Sequence, residues 1–525
     1  MDKLTTGRRV KQTRRRDVEA ALAALDLPRA GGRRVGRATR IAVTLDSLGP
    51  VFAGFGLYLA SRLDLLARGD CLALGAIPTG GTPTPAPAVE ALVTRELGAS
   101  PEARFHAFDA QPTWSGLFTQ RHTAWLVPGV PVTVTIVHPD IDRIRERDLS
   151  LLMLLRAPLG LSGEAMALAI ADFATTLDRR LDLRQQAAAL ALVGQDARES
   201  WAFRVPYCYR DFSSRRVLTS DRIDGVRLTE VLAADPADLA NAGRWPAPAA
   251  LADRLTTAWL SQASNGRSVP FDFGPHDILV GLEHVTLVGG TFEMQTSEGQ
   301  AHFLNYLEAT AADDVDAACA WVVGRSERQP GGLDEEALTR RFRQAVPFRD
   351  VESDGDERLV DQLLVHWRVT QRAGWQVAPH QARLYHGLAT LTALTDRLGY
   401  HGDALLAALR SEQLRRRLAG ARELLQVGTL DKLLTNMVNL PRRVDEALSL
   451  AAEGGMRLKL QLPEADAQRK ARNRAVTHVA GLVALMAFAF LVKLLVPELG
   501  ESAEWVGALL LLIFGGWLLV AAARL

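Results

Sequence analysis

The stretch Thr123–Val137, TAWLVPGVPVTVTIV, carries the clearest local signature in the chain. Pro128-Gly129 is a turn pair: proline presets one torsion and glycine accepts the left-handed one. After it, Val132, Val134 and Ile136 alternate with Thr133 and Thr135, the period-two pattern of a strand with one buried face. Two strands joined by a turn are therefore expected. Outward from them, Val89–Leu97 reads as a helix, Asp140–Val193 as Ala/Leu-rich helix and Arg204–Ile223 as further strand. From Arg227 onward helices dominate, apart from short segments around Phe271–Val280 and His284–Phe292. On the N-terminal side, Asp17–Leu25 and Arg40–Leu66 have helical spacing. A Pro/Gly/Thr-rich break, PTGGTPTPAP over Pro78–Pro87, follows them. Helices, a small sheet with one helix, then a mostly helical region give an α+β class, divided at 1–88, 89–226 and 227–468.

Composition removes several functions. Lys+Arg number 61 against 60 Asp+Glu, so the basic excess of a nucleic-acid binder is missing, and no nucleic-acid partner is expected. Cys71, Cys208 and Cys319 lie far apart and form no CxxC pair, which points to small buried thiols rather than disulfides or a metal site. The first sixteen residues are polar and carry Arg8, Arg9, Lys11 and Arg14–Arg16. Without an apolar core they are not a secretory signal and read as a solvated tail.

The other end is different. Ala475–Val496 is apolar apart from Thr477, His478 and Lys493, and a second apolar run covers Trp505–Ala523. Each is long enough to cross a hydrocarbon core of about 30 Å as a helix. The short acidic spacer makes them an antiparallel hairpin. Arg457, Lys459, Arg469, Lys470, Arg472 and Arg474 before the first span place the body on the cytoplasmic side. With an Arg/Ala/Leu-heavy composition, the expected location is a bacterial inner membrane, held by this two-helix anchor.

Several segments in colinear order resemble the UbiB family of atypical kinases. LGPVFAGFGLYLASRLDLL (Leu48–Leu66) is similar to the family's N-terminal extension, LGPxFxKxGQxLSxRxDLL. FDAQPTWSGLFTQRHTAWL (Phe108–Leu126) resembles its Ala-rich loop and QVHxA strand, and VTVTIVHPDID (Val132–Asp142) its VAVKVxxPxI strand. RVLTSDRIDGVRL (Arg216–Leu228) is similar to the hinge, and FDFGPHDILV (Phe271–Val280) takes the place of HADPHPGNIxV. VAPHQARLYHGLATLTAL (Val377–Leu394) and the terminal hairpin follow the closing pattern. The resemblance implies a two-lobed protein-kinase-like fold with an N-terminal helical extension and a C-terminal transmembrane helical hairpin. For active relatives it implies ATP and magnesium as cofactors, and a link to ubiquinone or other isoprenoid-lipid metabolism.

Phosphoryl transfer needs a lysine on the phosphates, carboxylates on magnesium and an aspartate near the nucleophile. Following the resemblance, the lysine falls on Thr135, its glutamate partner on Gln186 and the metal-binding aspartate on Gly289. The extension's lysine and glutamine fall on Gly54 and Leu57, and its acidic helical partner motif on Arg180 and Asp182. Trp114 and Leu117 replace small residues of the nucleotide loop. The catalytic-loop aspartate is kept as Asp272, while the loop asparagine becomes Asp277. Gly49, Pro50, Arg62, Asp64, Gln120, Pro139 and Asp224–Gly225 match as fold-keeping residues. His122 reads as a structural hydrogen-bonding residue, and His138 and His276 lack metal-ligand spacing.

The leading expectation is a pseudokinase: a membrane-anchored scaffold or lipid-handling protein, with an isoprenoid quinone or precursor and pathway enzymes as partners. The alternatives are a divergent ATPase, with Asp272 and Asp277 on magnesium and Arg180 on phosphate, and a membrane-tethered adaptor.

Overall fold

A computed structural model describes residues 2–25, 36–197, 203–234, 245–345, 358–400 and 402–424. Those up to Arg422 form one compact unit. The apolar runs 475–496 and 505–523 lie outside the described residues. Among the described residues no helix is long and apolar enough to cross a membrane.

The N-terminal part is helical: α1 (Asp2–Ala23), α2 (Arg37–Ser47), α3 (Pro50–Leu59), α4 (Arg68–Gly75) and α5 (Ala86–Leu97). The expected solvated tail is instead part of α1. Arg14 donates to both carboxylate oxygens of Asp148, at 3.2 and 3.0 Å, and Asp148 is fully buried. Arg147 meets the same carboxylate at 2.6 Å, so two arginines hold this buried charge and Arg14 is part of the fold. Gly49, with φ of +98°, and Pro50 at the first turn split the expected Arg40–Leu66 helix into α2 and α3. Eight of the ten residues of α3 are buried, as a helix that is apolar all round requires. Just beyond it, Arg62 clamps Asp64 through two hydrogen bonds of 2.8 and 2.7 Å.

A four-stranded antiparallel sheet follows in the order β1 (Ala107–Ser115), β2 (Thr119–Trp125), β3 (Pro131–Val137), β4 (Val217–Asp221). The β2–β3 turn closes with Val130 N–H donating to Val127 O at 3.1 Å, and Gly129 sits at φ of +81°. The alternation in β3 sorts as expected. Val132, Val134 and Ile136 are fully buried in a core with Val89, Leu92 and Val93 of α5. Thr135 therefore points to the opposite face. Only the end of the expected 204–223 strand region pairs as a strand, since the chain before Val217 makes turns and isolated bridges.

Between β3 and β4 run α6 (Ile141–Leu149), α7 (Gly163–Leu181) and α8 (Leu183–Asp196). Asp182 ends α7 and caps α8, accepting from Arg184 N–H at 3.1 Å. After β4 come the short β5 (Val226–Arg227), α9 (Leu228–Ala233) and α10 (Pro248–Asn265). Two small antiparallel sheets carry the loop residues: β6 (Ser268–Asp272) pairs with β9 (Thr291–Met294), and β7 (Ile278–Val280) lies between β5 and β8 (Val285–Leu287). The remaining helices include α11 (Ser297–Ala311), α12 (Leu359–Arg372) and α13 (Pro379–Arg397). Their core is continuous with the N-terminal helices: Phe52, Phe55 and Leu59 belong to the same buried cluster as Phe173, Trp259 and Trp367.

Candidate functional site

The sequence-predicted positions meet where the face of the sheet opposite α5 approaches the β6–β9 loops. Thr135 is buried on β3, directly opposite Arg121 on β2. Directly opposed residues of an antiparallel pair share a face. A cation therefore stands on the face where the strand lysine would project, but from the neighbouring strand. Gln186, on α8, is buried and donates weakly to Val288 O at 3.5 Å, beside Gly289.

Arg180, in the last turn of α7, brings the two loop aspartates together. It donates to Asp272 Oδ2 at 3.0 Å, to Asp277 Oδ2 at 2.8 Å and to His276 Nε2 at 2.8 Å. The guanidinium thus sits between the two loop carboxylates. Arg121 donates to His276 O at 3.0 Å and lies 3.4 Å from Asp277 Oδ1. Asp277 also accepts from Gly274 N–H at 3.1 Å, and Asp272 from the Thr291 hydroxyl at 3.2 Å. Among the described residues no three His, Cys, Asp or Glu side chains gather as metal ligands.

The electrostatics follow this packing. Burial works to raise the Asp277 pKa, but His276, Arg180, Arg121 and the Gly274 amide outweigh it and hold the carboxyl well below its ordinary range. Burial also opposes the charge on Arg180, yet Asp277 and Asp272 raise its pKa. Arg121 has the longer contact; burial wins there and lowers its pKa to about 10, still a cation at neutral pH. His276 is pushed down to about 4 by burial, so it is neutral and accepts from Arg180.

Gly289 lines this cluster with no side chain and no room for one. A Cβ there would stand 2.6 Å from Asp277 Oδ1 and 3.2 Å from Arg121 Nη2. The nearest downstream carboxylate, Glu293, is engaged elsewhere: its Oε2 accepts from Arg179 at 2.8 Å and Arg383 at 2.6 Å. Gly54 on α3 is closed in the same way, since its Cβ would meet Phe118 at 2.5 Å. Trp114 fills the loop side. Its ring stacks on His276 at 5.3 Å between centroids and 10° between planes, with the Arg121 guanidinium 4.9 Å from its centroid.

The other histidines tie the sheet together. His122 Nδ1 meets Asp109 O at 2.9 Å and its Nε2 meets Gln120 Nε2 at 2.8 Å. His138 links Gly116 O at 3.0 Å to the Thr84 hydroxyl at 2.7 Å.

Sequence reasoning missed Arg121 and His276 as members of the cluster. The signal for Arg121 was present in β2: Gln120 and His122 alternate with it, so it must face away from them and share Thr135's side.

Residues 81–314 match the model of the ABC1 atypical kinase-like domain. A probable protein kinase UbiB of Cellvibrio japonicus is 28% identical over 258 residues, 48% of this chain and 45% of that protein. Another, from Azotobacter vinelandii, is 32% identical over 202 residues, 38% of each chain. The matched stretches thus span less than half the length of these relatives. The erythromycin complex of Rv3197 from Mycobacterium tuberculosis overlaps with a TM-score of 0.44 at 16% identity, over 78% of this chain and 97% of that one. Residues 81–314 thus carry an ABC1 atypical kinase-like domain of α+β fold, and that match together with these relatives supports membership of the UbiB family of atypical kinase-like proteins.

Proposed function

We propose that this chain is a non-catalytic member of its family, a pseudokinase acting as a scaffold or lipid-handling protein. The observation that carries the reading is the closure at Gly289. The site of a metal-binding aspartate abuts the Asp277 carboxylate, and Arg180 fills the space between Asp277 and Asp272. ATP and magnesium do not fit this donor set: Thr135 offers the phosphates no charge, and both loop carboxylates are committed to arginines. The proposal places the body at the cytoplasmic face of a bacterial inner membrane, anchored by 475–496 and 505–523. An isoprenoid quinone or its precursor, and enzymes of that pathway, are the proposed partners.

Thermal unfolding of the full chain with ATP and magnesium, against ATP with chelator, tests it. A nucleotide at 100 times its dissociation constant would add about 2.7 kcal/mol. No shift at millimolar nucleotide is expected. A magnesium-dependent shift, with turnover abolished by Asp272→Ala, would overturn the reading in favour of a divergent ATPase.

A further inference from the structure

Beside the closed cluster lies a cavity of about 530 Å³, walled by α3, α4, α7, α12 and α13 and by the turn after Trp114. That volume suits a small organic ligand. Its walls are mainly apolar, with Leu57, Ile77, Leu117, Phe173, Leu177 and Leu364 facing it. Leu72, which is 46% exposed, continues the apolar lining to the surface.

The charges around it decide what kind of molecule would fit. On one side are Arg180 and Asp272, which belong with Arg121 and Asp277 to a cluster of two arginines on two aspartates. On the other are Arg68, Asp361 and Asp396, joined by Arg358 into a second cluster of the same composition. Each cluster sums to zero. His276, also in the lining, is neutral at pH 7. Arg397, at the end of α13, is left over: it lines the cavity and pairs with no carboxylate among the described residues. Burial lowers its pKa with no compensating charge. Its side chain is exposed at the rim of the cavity, so an anion brought to it would form a partly solvated pair at the mouth.

We propose that the cavity binds a single-chain amphiphile, its apolar chain among Leu57, Ile77, Phe173 and Leu364 and its anionic head, carboxylate or phosphate, on Arg397. This goes beyond the non-catalytic reading and rests on it in one respect: Arg180 must stay engaged with Asp272 and Asp277 for Arg397 to be the uncompensated charge.

The test uses the full chain in phosphatidylcholine nanodiscs, with empty nanodiscs subtracted, titrated calorimetrically with dodecanoate, dodecyl phosphate, dodecanol and dodecyltrimethylammonium. Both anions should saturate at one per chain and bind about threefold tighter than dodecanol, the worth of a partly solvated ion pair. The tighter of the two identifies the head. Arg397→Gln should remove the margin and Arg397→Lys should restore most of it. Ala393→Trp, which fills the cavity, should abolish binding of all four. An anion margin that survives Arg397→Gln overturns the proposal, as does binding that ignores Ala393→Trp in a chain that melts like wild type. Arg397 pairs with no carboxylate among the described residues, so its variants keep the test decisive even if the cavity-filling one fails to fold. Heat from ATP and magnesium in the same preparation would count against the non-catalytic reading and leave the amphiphile result standing. Loss of the anion margin in the wild type would do the reverse.

Discussion

The two arginine–aspartate clusters flanking the cavity have the same composition and different wiring. In the one away from the kinase-like loops, Arg358 reaches Asp361 at 2.9 Å and Asp396 at 2.7 Å, and Arg68 reaches the same two at 3.2 and 2.7 Å. Every carboxylate there has two arginines. In the one at the loops, Arg180 alone reaches both aspartates, while Arg121 touches only Asp277, at 3.4 Å. The first is a redundant brace between α4, α12 and α13. The second depends on one residue, and that residue stands where the resemblance implies an acidic group.

The sharpest way to break this contrast is to restore the missing metal carboxylate. Gly289→Asp would drive a Cβ against Asp277 Oδ1 and bury a third carboxylate between two arginines already taken. A loss of about 4 kcal/mol or more is expected, from overpacking and an uncompensated buried charge together. Urea midpoints would read it. A variant as stable as wild type that gained magnesium-dependent nucleotide affinity would show that the site can reopen.

Next in size is the comparison of the two bridging arginines. Arg180→Ala leaves Asp277 with the long Arg121 contact and the Gly274 amide, and Asp272 with a hydroxyl, so about 3 kcal/mol should be lost. Arg358→Ala leaves Asp361 and Asp396 on Arg68, and about 1 kcal/mol is expected. Equal losses in denaturant unfolding would mean that the wiring difference has no energetic weight.

This difference was only half legible in the sequence. VTVTIV announced β3 and placed Thr135 on the polar face, and the Pro-Gly pair announced its turn, because both signals are local. Arg180 drew notice only because it replaced an acidic residue; its partners are 92 and 97 residues away. Arg121 lies 156 residues from Asp277, and nothing in local spacing reveals such a pairing. Arg14 was misread for the same reason: its partner Asp148 is 134 residues on, so a basic segment looked like a solvated tail. The residues before Val217 had strand-like composition, but their backbone groups go to turns and bridges instead of a ladder.

Acid should separate the clusters further, because only the loop cluster contains a histidine. The folded state holds His276 near pKa 4, against about 6.5 when unfolded. Between those values the unfolded chain binds a proton that the folded chain does not, so stability falls as pH falls from 6.5 toward 4. About 2 kcal/mol should be lost from this group by pH 5. His366 and His386, buried elsewhere and held at about 4 and about 3, slope the same way. His276→Gln should therefore remove one part of the slope, read as urea midpoints at pH 7 and pH 5. An unchanged slope would mean that His276 is protonated in the folded protein, and its acceptance of the Arg180 hydrogen bond would be wrong.

The smallest effect belongs to the residue that the resemblance makes most important. Asp272 matches the catalytic-loop aspartate, yet its side chain is 34% exposed and it shares Arg180 with the buried Asp277. Asp272→Asn keeps an acceptor for Thr291 and removes a charge that water already solvates in part, so a loss under about 1 kcal/mol is expected. Asp277→Asn removes the carboxylate that meets both Arg180 and Arg121 as well as the Gly274 amide, and should cost about 3 kcal/mol. In a working phosphoryl-transfer site, chemistry would rank Asp272 first; in a closed one, burial ranks Asp277 first. Thermal unfolding of the two variants, each with and without magnesium and ATP, shows which ranking governs: an Asp272→Asn loss larger than that of Asp277→Asn, or one that appears only with nucleotide, would mean the loop still answers to a ligand.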